Sequence, residues 1–142
     1  MYSKILVGID GSEASLRAAR RAAELASKTG AKLSLLTVVP PPTVWLGELM
    51  TPEVVDTTPL VEAAKERLKN LAERLREEFN VESDWDVVLG EPADSIIEYA
   101  VEGGYDLIVL GRRGLSRLDR LFLGSITRKV LERSPIDVLV TV

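Results

Sequence analysis

"KILVGIDGS" runs from Lys4 to Ser12, and "AKLSLLTVV" stands further on, from Ala31 to Val39. Lys4 to Ile9 is short, apolar and partly β-branched, the pattern of a strand covered on both faces. Asp10-Gly11-Ser12 interrupts it, and Ser12 is a good N-cap for a helix beginning at Glu13. From Glu13 to Thr29 the residues Ala18, Ala22, Leu25 and Ala26 recur at helical spacing, and Gly30 stands where a helix stops. Ala31 to Val39 is the second strand. Strand, helix and strand in this order form a right-handed parallel crossover.

The rest of the chain repeats that alternation. Pro40-Pro41-Pro42 ends the second strand, because proline has no amide to give to the ladder. Pro40 to Pro59 is the longest irregular piece; with Trp45, Leu46, Leu49 and Met50 it reads either as a lid or as a plain connection. Thr58-Pro59 opens a helix whose stripe is Val61, Ala64, Leu68, Leu71, Leu75 and Phe79. Asp84 to Leu89 is a strand of mixed polarity, suited to a sheet edge. The helix Pro92 to Glu102 has its core stripe at Ala93, Ile96, Ile97, Ala100 and Val101. Tyr105 to Gly111 is a central strand, Ser125 to Arg133 a short helix, and Pro135 to Val142 the last strand. Five strands and four helices over residues 1–142, with no internal repeat, predict one domain. Its fold class is α/β: a single doubly wound, five-stranded parallel sheet with helices on both faces, Rossmann-like. Ligands of such sheets lie beyond the carboxyl ends of the strands, where strand order reverses. The pieces predicted to reach that rim are Gly8 to Gly11, Val38 to Pro40 and Leu110 to Gly114.

Composition removes several chemistries. The chain has no histidine and no cysteine, so it has no imidazole base, no thiolate nucleophile, no disulfide framework and no ordinary zinc site. Neither a G-x-S-x-G elbow nor a P-loop occurs. A catalyst would depend on carboxylates, lysine, tyrosine or a borrowed metal, a weak basis for an enzyme; no catalytic and no metal-ligating residue is assigned. No apolar run approaches the ~18 residues of a membrane span. "MYSKILVGIDGS" meets Asp10 too soon to read as a signal peptide, so the expected location is the cytoplasm.

The net charge of −4 is unevenly spread: Gly111 to Arg133 carries seven basic residues and two acidic ones, a local +5 that leaves −9 elsewhere. That distribution suits a local anion site and opposes a nucleic-acid track, with a solvated helix face as the plainer alternative. Within this segment, "GRRGLSRLDRLFLGS" (Gly111 to Ser125) places glycines at 111, 114 and 124 and a serine directly after the last. Gly111 ends a central strand, and Gly124-Ser125 begins a helix. Helix starts offer unpaired amides and partial positive charge, and glycine lets backbone approach an anion closely. The local reading is a nucleotide phosphate site that uses no P-loop lysine.

Gly111, Gly114, Gly124 and Ser125 satisfy G-x2-G-x9-G-[ST] and so resemble the ATP-site pattern of the universal stress protein family. "ILVGIDGSEAS" is similar to the family's first strand and turn, and the resemblance runs the length of the chain. It implies the adenine nucleotide alpha hydrolase-like version of the fold. It further implies a base and ribose pocket near Gly8, Asp10 and Val38, continued by Leu110 and Gly111. Gly114, Gly124, Ser125, Ile126 and Thr127 would hold the phosphates of ATP, ADP or AMP, with or without Mg. Gly8 departs from members that carry proline there, and a phosphate role for Arg112 and Arg113 is an inference from charge alone. Asp10 keeps a second reading as a cap for its own turn, as Thr127 does as a filler of the first helical turn; Trp85 and Tyr99 read as packing residues.

The function this implies is an adenine-nucleotide-binding regulatory protein of the stress-response type, acting by a nucleotide-dependent change of conformation or partner. The alternative is a slow ATPase or nucleotide-dependent transferase. "VLVTV" (Val138 to Val142) is an apolar, β-branched strand expected at the sheet edge, and the resemblance implies a homodimer through it.

Overall fold

The computed structural model describes residues 1–41, 56–112 and 123–142. Strand β1 (Lys4–Gly8) holds Ile5, Leu6 and Val7 with no exposed surface, as expected of a strand covered on both sides. Helix α1 (Glu13–Thr29) begins at Ser12, whose hydroxyl accepts the Ser15 amide. It ends at Gly30, in the left-handed region at φ 75°, whose amide returns to the Ala26 carbonyl. The buried face of α1 is almost entirely alanine: Ala14, Ala18, Ala19, Ala22, Ala23 and Ala26. The stripe expected from spacing includes Leu25, which is only partly buried, and omits half of these alanines. Side chains this small let the helix axis approach the sheet closely.

Strand β2 (Lys32–Val39) leads through undescribed residues to α2 (Thr58–Phe79). Helix α2 buries Ala64, Leu68, Leu71 and Leu75, and it ends on Asn80 in the left-handed region. Then come β3 (Ser83–Leu89), α3 (Pro92–Glu102), β4 (Leu107–Gly111), α4 (Ser125–Arg133) and β5 (Asp137–Thr141). The last two strands are shorter than the sequence pattern suggests. Before β4, Tyr105 turns its hydroxyl onto Ser34 and Asp106 takes the Ser3 and Lys4 amides; before β5, Ser134 makes a turn with Ile136. Val101, expected in the core stripe of α3, is half exposed instead, because it sits on the outer side beyond Ala100.

The five strands are all parallel in the order β3-β2-β1-β4-β5. Alternation along each strand feeds two separate cores. Ile5, Val7, Leu33, Leu35 and Val109 meet α1 and α2 on one face. Leu6, Leu36 and Ile108 meet α3 and α4 on the other. Strand order reverses between β1 and β4, so a crevice opens there at the carboxyl ends.

The two outer strands differ. On β3, Asp86 Oδ1 accepts the amide of its neighbour Val87 at 2.8 Å, while its Oδ2 accepts the Tyr99 hydroxyl at 3.0 Å. Asp84 and Trp85 are exposed beside it. Burial, and then the bond to Asp86, push the Tyr99 phenol up to about 12. Strand β5 carries Val138, Leu139 and Val140, with Leu139 exposed.

Ala22 tests the close seating of α1, since it has no exposed surface. Replacing it with leucine should force the helix off the sheet and cost about 1–3 kcal/mol. A chemical denaturation series on Ala22→Leu should show a lower midpoint with an unchanged slope.

Candidate functional site

At the crevice between β1 and β4 the carboxyl ends of β1, β2 and β4 and the first turns of α1, α3 and α4 enclose a cleft of about 600 Å³. Its position results from topology, because β1 leads back across the sheet to β2 while β4 lies on its other side.

Eight residues predicted from the sequence meet in the wall of this one cleft: Gly8, Asp10, Val38, Leu110, Gly111, Gly124, Ile126 and Thr127. Ser125 is exposed and does not belong to the wall, and Gly114 lies outside the described residues. The Pro40–Pro59 segment, with Trp45 to Met50, and Arg113 also fall largely or wholly outside them. Arg112 is described but stands apart from the cleft wall; its amide donates to the Thr141 carbonyl at 2.7 Å and so extends the β4–β5 ladder.

Asp10 caps its own turn. Its Oδ1 accepts the Ser12 amide at 2.9 Å and the Ser12 hydroxyl at 2.5 Å. Ser12 in turn accepts the Ser15 amide, and the Ser15 hydroxyl donates to the Ser12 carbonyl at 2.9 Å. Desolvation at the cleft wall pushes the Asp10 carboxyl up, but the bonds from Ser12 and Ser15 outweigh it and hold the group below its usual range. The β1–α1 turn therefore brings its own anion to the start of α1.

Gly111 is required for a reason the sequence does not suggest. A Cβ on it would lie 2.5 Å from both the carbonyl carbon and oxygen of Ala14, and 2.9 Å from the Ser15 amide nitrogen. The bare glycine lets the end of β4 touch the backbone of α1. Its carbonyl accepts the hydroxyl of buried Thr127 at 3.1 Å, which ties the first turn of α4 to the same point.

The helix starts around the cleft are satisfied differently. At α1 the Ser12 hydroxyl accepts an amide, and at α3 the Glu91 carboxylate accepts the Ala93 and Asp94 amides at 3.3 and 2.7 Å. These amides, the Asp94 bond first, hold the Glu91 carboxyl below its ordinary value. Helix α4 starts at Gly124, which is buried, extended in backbone and without a side-chain cap. Helix α2, whose Leu60 also lines the cleft, has no cap from Thr57 either, but Asp56 accepts its Thr58 amide at 2.9 Å; among the described residues no side chain takes the first-turn amides of α4, which are open to a ligand.

Sequence reasoning missed Ser15, Thr37, Leu60 and Arg67, all of which line the cleft. Ser15 stands three residues after the N-cap, where a capping box would carry Glu or Gln, and its hydroxyl donates to the Ser12 carbonyl instead. Leu60 and Arg67 carried no signal, because they come from the far helix α2. Among the described residues no group of three or more acidic side chains gathers to hold a metal ion, and no helix is long and apolar enough to cross a membrane.

Known proteins are similar to this chain in sequence and in fold. The family model described as "Universal stress protein family" matches residues 1–141. Universal stress protein YxiE of Bacillus subtilis is 38% identical over 99% of both chains. The crystal structure of a universal stress protein in complex with cAMP superposes at a TM-score of 0.72, with 30% identity over 99% of this chain and 97% of that one. The universal stress protein from Archaeoglobus fulgidus in complex with dAMP matches at a TM-score of 0.72 and 25% identity, over 98% and 97% of the two chains.

The packing of Gly111 makes its own prediction. Gly111→Ala should destabilise the unliganded protein by about 1–3 kcal/mol, because the contact is with backbone and cannot be relieved by a rotamer change. Thermal unfolding without added ligand measures it, and an unchanged melting temperature would refute the contact.

Proposed function

The chain belongs to the universal stress protein family, and on that premise we propose that it is an adenine-nucleotide-binding regulatory protein. ATP, ADP or AMP occupies the cleft and changes the protein's conformation or its choice of partner. The observation that carries this reading is the start of α4. It faces a cleft of nucleotide size, it lacks the side-chain cap present at α1 and α3, and relatives of the same fold were solved in complex with cAMP and dAMP.

In this reading the amides of Ser125, Ile126 and Thr127 hold phosphate oxygens, and Gly114, outside the described residues, contributes to the same phosphate site. Gly8, Asp10, Val38, Leu110 and Gly111 surround the ribose and base. Gly111 acts by bringing β4, α1 and α4 together, so it sets the width of the cleft. A magnesium ion would be held mainly by the phosphates themselves, since Asp10 is the lone carboxylate in the described wall and its Oδ1 already serves Ser12. Hydrolysis has thinner support, because the one carboxylate in the described wall, Asp10, is engaged with Ser12 and is held below its usual pKa range, which makes it a weak base.

Assembly is expected at the exposed edge. We propose a homodimer in which the Val138 to Val142 strand meets its copy across a two-fold axis. Light scattering at micromolar concentration should return twice the 15.6 kDa chain mass, and a monomer mass would overturn it.

Nucleotide binding has a direct test. At a concentration one hundred times its Kd, ATP should stabilise the protein by about 2.7 kcal/mol, read as a rise in melting temperature. Gly124→Val should remove that rise, because a branched Cβ at the helix start displaces the phosphate. Since Gly124 is buried, circular dichroism must show the variant folded before titration. Folded Gly124→Val with unchanged ATP affinity would overturn the phosphate assignment.

A further inference from the structure

Leu60 and Arg67 lie seven residues apart on α2, two helical turns on one face, and both line the cleft. Neither is part of the family pattern recognised in the sequence. Leu60 is 46% exposed, an apolar side chain left open at the cleft wall. Arg67 is the one cationic side chain in the described wall, and it makes no ion pair among the described residues, Asp10 included. Its guanidinium rests on Gly11: Nη1 and Cζ lie 3.2 and 3.6 Å from where a Cβ would stand. Gly11 has φ +86°, so a side chain there would be strained and would also press on the guanidinium.

We infer that Leu60 and Arg67 together form the wall that covers the base of the bound nucleotide, the guanidinium plane lying against the purine ring. The inference rests on the nucleotide reading and deepens it. The first alternative for such an arginine is a phosphate ligand, but the local charge argues otherwise. Arg67 sits by the β1–α1 turn, where the Ser12 amide and hydroxyl are already taken by the Asp10 carboxylate. That carboxylate repels a phosphate, while α4 offers uncapped amides at another wall of the same cleft. The uncharged end of the ligand therefore belongs beside Asp10 and Arg67. A guanidinium suits this place, because it is planar, weakly hydrated and stacks on aromatic faces. Leu60 extends the same wall with apolar surface, and Val38 and Ile96 supply apolar surface elsewhere in the cleft.

The experiment titrates adenosine, AMP, ATP and ribose 5-phosphate into the wild type, Arg67→Met and Leu60→Ala by calorimetry. Each variant should lose the same factor, about fivefold, for adenosine, AMP and ATP alike, while ribose 5-phosphate binds as it does to wild type. A loss that grows from adenosine to ATP makes Arg67 a phosphate ligand and overturns the inference, as do unchanged affinities. Wild-type protein that binds none of the four overturns the nucleotide reading itself. Both positions are exposed, so both variants should fold, and either one alone decides the outcome.

Discussion

The contact on which the rest of the cleft depends is that of Gly111 with the backbone of Ala14. A parallel sheet fixes the heights at which strands end, but not how near the next helices come. Here the end of β4 meets the first turn of α1 with no side chain between them. The Gly111 carbonyl then receives Thr127 of α4, and the next amide along the chain, from Arg112, bonds to Thr141 of β5. Four elements take their positions from one residue that has no Cβ. The alanine face of α1 continues the same close approach along the helix.

Charge is distributed to match. Two of the helix starts at the cleft are closed by the chain itself, α1 by Ser12 with Asp10 behind it and α3 by Glu91. Glu91 also lies 3.6 Å from Lys129, and Asp94 lies 3.3 Å from Arg133, so α3 and α4 are joined by exposed ion pairs along their sides. Pairs so exposed add little stability. Positive charge at the described cleft wall then comes from the uncapped start of α4 and from the Arg67 guanidinium of α2.

Much of this was legible in the sequence because the strong signals are local. The strand runs are short and apolar, Ser12 and Gly30 bracket α1, and Pro59 and Pro92 mark helix starts, so topology could be read from alternation. Leu60 and Arg67 were not legible, since "PLVEAAKERLKNLAERLREEF" has a regular core stripe and its charged positions look like an ordinary solvated face. Only the placement of α2 against the β1–α1 turn distinguishes Arg67 from its neighbours. Gly111 was found for an incomplete reason: spacing pointed to a ligand, whereas the contact that excludes a side chain is with Ala14. Val101 shows the opposite error, since apolar residues one after another cannot all face inward on a helix.

The unequal edges of the sheet have a consequence for association. Along β3, Asp86 commits one carboxylate oxygen to an amide of its own strand, and Asp84 adds a second charge close by. A strand arriving there would have to displace that bond and bring its backbone against two carboxylates. Addition of a further strand is therefore opposed at the β3 edge. Extension at a single end is self-terminating, because two sheets joined by their open edges leave only guarded ones outside. If copies pair through β5 as proposed above, the guarded β3 edges lie outside, and pairing ends with two copies and does not run on into a ribbon.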